Sequence, residues 1–392
     1  MTASTGGSRS PAQATNRSTL EWLDALKGVA IAAVVFDHAF IVDDYLVWKH
    51  AYFAVSWFIF LAGVSNTLSA RRRGFTGAAD LHAFWQRRLR SLLGPYLWIT
   101  LIAVLLLNPH ALTPATFGRR LLLANAQPQL YFVPLLLQLL LVFPLLDVAL
   151  YRCGWWGRGA VLAGVLLVGP LLSSRITLPW TLGAHYLLGA SFLYLFVLGM
   201  LAAPLLQRAS ARHSPLAAVC LLVAVLGERA LLRSGGFMMT HPPSNAMLPY
   251  TVALLGLTYA GCRLFSGSAP VRLLAALGGR SLDIFLYHYL FLLPFLQYRD
   301  PARARALGVP HAQAVLVAVA IPTAIAGALL LAWLSRITWR LLHEYAGDLA
   351  RHTRNAPPPA TPHTPRHRPG EAAVAPVAAV GSPPARRATA GR

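Results

Sequence analysis

The stretch LDALKGVAIAAVVFDHAF, Leu23 to Phe40, is apolar enough for a lipid interior, yet it carries a lysine and a histidine. Lys27 and His38 stand eleven residues apart, three turns of an α-helix. Their side chains therefore fall within about 20° of one another, separated by about 16 Å along the axis. A histidine inside a membrane span usually faces the bundle interior or a wet cavity, because lipid offers it no hydrogen-bond partner. Two plainer readings compete: His38 bonded to a neighbouring helix, and Lys27 snorkelling to the interface. The shared face favours chemistry over either.

The surrounding sequence makes this stretch the first of many like it. Of the 392 residues, 56% are hydrophobic and only 12% charged. The mean hydropathy is +0.54, whereas soluble domains run at about 25% charged. The expectation is an all-α, polytopic bundle of transmembrane helices. About ten runs are long enough to cross a hydrocarbon core, near residues 22–42, 51–70, 91–107, 130–150, 159–173, 181–204, 215–232, 246–264, 273–296 and 312–335. Helices are required because an open sheet would leave backbone groups unpaired in lipid, and a barrel would show short alternating strands instead. Residues 1–20 are rich in Ser, Thr, Ala and Gly and lack the apolar core of a secretory signal, so they read as a short disordered tail.

The net charge of +21 does not point to nucleic acid, since the basic residues lie between apolar spans and in the C-terminal segment. They fit the positive-inside rule. With the N-terminus cytoplasmic, 24 of the 34 Lys and Arg residues lie in segments then inside, 9 lie outside, and Lys27 is within the first span. Both termini are therefore expected in the cytoplasm, with the body of the protein, residues 21–345, in the plasma or inner membrane. Residues 352–392 are rich in Pro, Ala and Arg with no aromatic residue, the composition of a disordered tail whose charges can touch anionic lipid. Cys153, Cys220 and Cys262 are widely spaced and form no CxxC pair, so neither a disulfide framework nor a zinc site is indicated. HExxH, Walker and Rossmann patterns are absent, and no metal site is expected.

The stretch FWQRRLRSLLGPYL places Arg87 and Arg90 three residues apart at the start of the third span, on one helix face. Two guanidinium groups so placed suit phosphate or pyrophosphate arriving from the cytoplasm. The plainer reading is loop charge alone, which fits Arg71, Arg72 and Arg73 better.

Taken together, these stretches resemble the acyltransferase 3 family of integral membrane acyltransferases. LDALKGVAIAAVVFDH is similar to the family's opening signature, a basic residue, ten residues, then histidine. FWQRRLRSLLGPYL resembles its RxxR stretch. YFVPLLLQLLLVFPLL, with Gln138 and Pro144, is similar to its aromatic fourth span, and SLDIFLYHYLFL, with Ser281, Tyr287 and His288, resembles its late Ser and Tyr-Leu-His pattern. The likeness covers about residues 20–340. Lysine at 27 resembles the fucose-4-O-acetylase-like branch. Ala62 in FLAGVS stands where the family commonly has serine.

The resemblance implies O-acyl transfer, usually of an acetyl group from cytoplasmic acetyl-CoA, to a hydroxyl of a cell-envelope or exported carbohydrate. It implies His38 as general base, Lys27 as the residue attracting the donor, and Arg87 and Arg90 as its binding site. Gln138, Ser281, Tyr287 and His288 are further candidates. Acyl-CoA is a co-substrate, and no permanently bound cofactor is implied. A separate extracytoplasmic or glycan-assembly protein would complete the pathway. The competing class is a transporter or flippase of a lipid-linked saccharide, in which Lys27, His38 and His288 bind substrate or relay protons.

Overall fold

The computed structural model describes residues 11–39, 53–74, 77–107, 113–175, 192–208, 219–227, 248–298, 305–306, 308 and 315–355. Among them the chain is helical and no strand occurs. The helices are α1 (Pro11–Ala39), α2 (Phe53–Arg73), α3 (Ala78–Leu107), α4 (Pro114–Leu122), α5 (Phe132–Tyr151), α6 (Gly154–Arg175) and α7 (Leu193–Arg208). They continue with α8 (219–227), α9 (Leu248–Leu264), α10 (Ala269–Gly278), α11 (Ser281–Leu292) and α12 (Ile321–Asn355). A short 3-10 turn, Pro128–Tyr131, leads into α5.

Four stretches among the described residues are long and apolar enough to cross a membrane: Phe53–Arg72, Ala78–Leu107, Pro128–Tyr151 and Leu316–Asp348. The protein is an integral membrane protein. Leu106, Leu145 and Leu205 are each at least 65% exposed, as lipid-facing side chains are. The apolar part of α1 differs from these four because it carries Asp24, Lys27 and Asp37. It is instead an enclosed helix: Leu23, Leu26, Ala30, Ile31, Val34 and Val35 are buried against α2, α9, α10 and α11. A helix so surrounded can carry charge because neighbours, not lipid, meet its polar face.

Glycine lets two helix pairs touch backbone to backbone. A Cβ on Gly278 would overlap the Asp24 carbonyl, and one on Gly28 the Leu274 carbonyl, so α10 crosses α1 with no side chain between them. Gly63 and Gly199 bring α2 and α7 together in the same way, against the carbonyls of Phe196 and Phe60.

The structure corrects one expected span. Residues 273–296 do not form a continuous helix, because α10 ends at Gly278 and α11 begins at Ser281. Gly279 closes α10 through its N–H to Ala275 O, and Arg280 leaves the helical region with φ −114°. The ten residues of α10 cover about 15 Å, half of a hydrocarbon core. At the ends, α1 starts at Pro11, inside the expected N-terminal tail, and α12 runs to Asn355, past His352. The rest of both expected tails lies outside the described residues. The chain divides after Trp339, and the first unit holds every residue of the site described below. The described part of the second unit, residues 340–355, is helical.

Candidate functional site

Helices α1 and α11 form one seam. Near the start of α11, Ser281 and Phe285 line the same cavity as Asp24 and Lys27 of α1. Further on, the His288 ring lies 5.3 Å from that of His38, centre to centre, and the Tyr289 ring meets His38 edge-on at 5.6 Å. Lys27 and His38 thus face the same neighbouring helix about three turns apart, as their spacing requires. Two sites follow along the seam, a cavity at one end and a histidine pair at the other.

The cavity has a volume of about 500 Å³, within the range of about 300–1,000 Å³ that small-molecule sites occupy. Its polar lining comes from Asp24 and Lys27, from Ser65 and Asn66 of α2, from Arg88 and Ser91 of α3, and from Ser281. The Lys27 Nζ donates to Asp24 Oδ1 at 3.1 Å. Asn66 donates through Nδ2 to Ala62 O at 2.8 Å, while its buried Oδ1 has no partner among the described residues. Gly278 and Gly279, the break between α10 and α11, form part of the wall. The N-cap of α11, Arg280, supplies no side-chain hydrogen bond. First-turn amides of a helix have no intrahelical partner and favour an anion at this end of α11, whose first turn also carries the Asp283 carboxylate, paired with Arg336 and Arg280.

Three phenylalanines of the cavity lining pack together, and one of them reaches a histidine. The rings of Phe58, Phe132 and Phe285 lie 4.8 to 6.1 Å apart and all line the cavity, and Phe285 is 6.3 Å from His288. His288 itself is fully buried, with Nδ1 at 2.9 Å from Ile284 O and 3.0 Å from Phe285 O.

The other candidates are distributed unevenly. Tyr287 is buried but turns to α12, donating to Ser335 Oγ at 3.4 Å, beside the Asp283–Arg336 ion pair at 2.7 Å. Gln138 is exposed and does not line the cavity. Arg90 is exposed, and Arg87 lines a separate depression of about 130 Å³ with Asp80 and Phe84. Arg88, between them, is the arginine that enters the cavity.

The sequence carried a signal for Arg88. Phe84, Leu92, Tyr96, Ile99 and Ala103 form the buried stripe of α3, and Arg88 stands four residues from both Phe84 and Leu92. It is the basic residue on the apolar face. Asp24 was likewise legible as the carboxylate three residues before Lys27. Asn66 had no such signal, since an amide in an apolar helix is as often solvated as buried. Among the described residues, no His, Cys, Asp and Glu cluster is arranged to hold a metal ion.

The acyltransferase 3 family model, described as an acyltransferase domain, matches residues 20–336. No curated protein and no solved structure shows a significant match.

Proposed function

The chain belongs to the acyltransferase 3 family, and from that membership we propose that this acyltransferase moves an acyl group, acetyl first, from cytoplasmic acyl-CoA to a carbohydrate hydroxyl of the envelope or of an exported glycan. One observation supports the reading most: a cation-lined cavity and a histidine pair share the α1–α11 seam, so donor and acceptor can each be held near one face of one helix.

Lys27 and Arg88 offer charge to the donor's phosphates, and the start of α11 adds main-chain donors. The exposed Arg87 and Arg90 attract the same anion on its way in. His38 removes the proton from the acceptor hydroxyl as general base. The oxygen attacks the thioester carbonyl, a C–O bond forms, and the C–S bond breaks. The CoA thiolate leaves and takes its proton from the imidazolium, which restores the neutral base. Both termini on the cytoplasmic side would put Lys27 towards the donor's compartment and His38 beyond the helix centre.

The test is release of CoA thiol from acetyl-CoA by the purified protein in detergent, with and without glycan acceptors, followed by mass spectrometry of the product. Acceptor-dependent thiol release with a mass increase of one acyl group is the expected result. A protein indifferent to acyl-CoA would overturn the reading and fit the movement of a lipid-linked saccharide instead.

A further inference from the structure

His288 presents a nitrogen that the acyl-transfer step above does not use. Its Nδ1 lies 2.9 and 3.0 Å from two backbone carbonyl oxygens, those of Ile284 and Phe285. A carbonyl oxygen only accepts, so Nδ1 must carry the hydrogen. A neutral imidazole has one N–H, and its Nε2 is therefore a bare lone pair. That atom is fully buried and has no hydrogen-bond partner among the described residues. A buried polar atom of this kind is normally paired with protein, ordered water or a ligand, so an unpaired one calls for a partner.

The place of the atom suggests what fills it. The ring that carries Nε2 lies 5.3 Å from the ring of His38, the residue read as general base. If His38 accepts the proton of the reacting hydroxyl, Nε2 of His288 cannot bond the same oxygen, because that oxygen has no second hydrogen to give. Nε2 needs another donor close by. A saccharide supplies one in the hydroxyl on the neighbouring ring carbon, near enough for two adjacent imidazoles to take one hydroxyl each.

We propose that His288 Nε2 accepts a hydrogen bond from the hydroxyl next to the one being acylated, so that the enzyme selects acceptors bearing a vicinal diol. This inference rests on the acyl-transfer reading and on a saccharide acceptor. His288 is then a specificity residue that touches substrate, and His38 remains the base. A site that bonds a substrate hydroxyl discriminates strongly against the analogue lacking it, since its own buried atom is left unpaired.

The experiment uses full-length protein in detergent, acetyl-CoA, and methyl gluco-, galacto- and mannopyranosides, each beside its 3-deoxy analogue, which retains no two neighbouring hydroxyls. Wild-type enzyme should favour a diol over the matching deoxy sugar by about 10- to 100-fold in kcat/KM, a typical range for one such contact. In His288→Phe the ratio should fall to near one, while turnover of the deoxy sugar persists, and His288→Gln, whose amide oxygen can accept, should recover part of it. Equal loss on both sugars, or an unchanged ratio, would assign Nε2 to packing or to a buried water and overturn the proposal.

Should His288→Phe fail to fold, histidine 15N spectra of wild-type protein give an independent answer. The Nε2 resonance should move with the diol and stay with the deoxy sugar, and no movement with either would also overturn the proposal. Thiol release to water with none of the sugars acylated would defeat the saccharide premise and this inference with it. Absence of any acyl-CoA consumption would instead defeat the acyl-transfer reading itself.

Discussion

Lys27 Nζ lies 3.1 Å from Asp24 Oδ1, one helical turn away on the same cavity wall. A carboxylate at that distance competes with incoming phosphate for the same cation. Asp24→Asn should therefore lower the KM for acyl-CoA several-fold, whereas Lys27→Ala should raise it about tenfold and Lys27→Arg should stay near wild type. Steady-state thiol release against acetyl-CoA concentration measures all three. A raised KM in Asp24→Asn would mean that the carboxylate orients Lys27 and does not compete for it.

His38→Ala should lower kcat by about 10²- to 10⁴-fold, the usual contribution of a positioned base. Membrane insertion should be unchanged, because removing a polar group from a span raises no barrier to it. Turnover normalised to folded protein decides the matter, and wild-type turnover would reduce the His38–His288 contact to packing.

The three arginines of α3 should separate. Arg88→Ala removes a charge from the cavity and should raise the acyl-CoA KM by about 10- to 100-fold, as one or two charge-assisted bonds of about 1.5–3 kcal/mol would. The pair Arg87→Ala with Arg90→Ala should raise it less, and that smaller effect should vanish in high salt, since exposed charges are screened. The opposite ranking would place the phosphate groups outside the cavity.

Gly278→Ala should destabilise the protein by about 1–3 kcal/mol or more, because its Cβ would meet the Asp24 carbonyl and force α10 away from α1. Gly94→Ala in α3, where a Cβ meets open space, is the control and should cost no stability, gaining at most about 1 kcal/mol of helix propensity. Thermal unfolding in one detergent compares them, and equal transition temperatures would show that the α1–α10 crossing can loosen without cost.

A reporter fused after Asn355 should lie in the cytoplasm, and one inserted at Thr113, between α3 and α5, on the far side. Accessibility to a membrane-impermeant label checks both. Labelling of both sites from the same side would mean a miscounted span and would reverse the donor and acceptor faces.

Helix content and the shared face of Lys27 and His38 were legible because hydrophobic runs and three-turn polar spacing follow from 3.6 residues per turn alone. Lys27 and His38 meet one neighbouring helix for that reason. The break at Gly278–Gly279 was harder to read. An apolar run interrupted by two glycines still looks like a span, and only the α1 backbone pressed against Gly278 makes the interruption necessary. Arg87 and Arg90 drew the eye through their spacing from each other. Their spacing from Phe84 and Leu92 would have redirected it to Arg88. Partners distant in sequence, such as His288 for His38 or Ser335 for Tyr287, depend on which helices pack together, and local periodicity is silent on that.

The interrupted helix also bears on how such an enzyme can be altered. Where α10 stops and α11 starts, the cavity wall at Gly278 and Gly279 is peptide and not side chain. Peptide groups are common to every codon, so the hydrogen-bonding capacity there persists through any substitution that keeps the turn. The adjustable positions are Ser65, Asn66, Ser91 and Ser281, whose side chains decorate the same cavity. A library meant to change the acyl donor would therefore randomise those four and leave the glycines fixed, and variation among natural relatives should be partitioned in the same way.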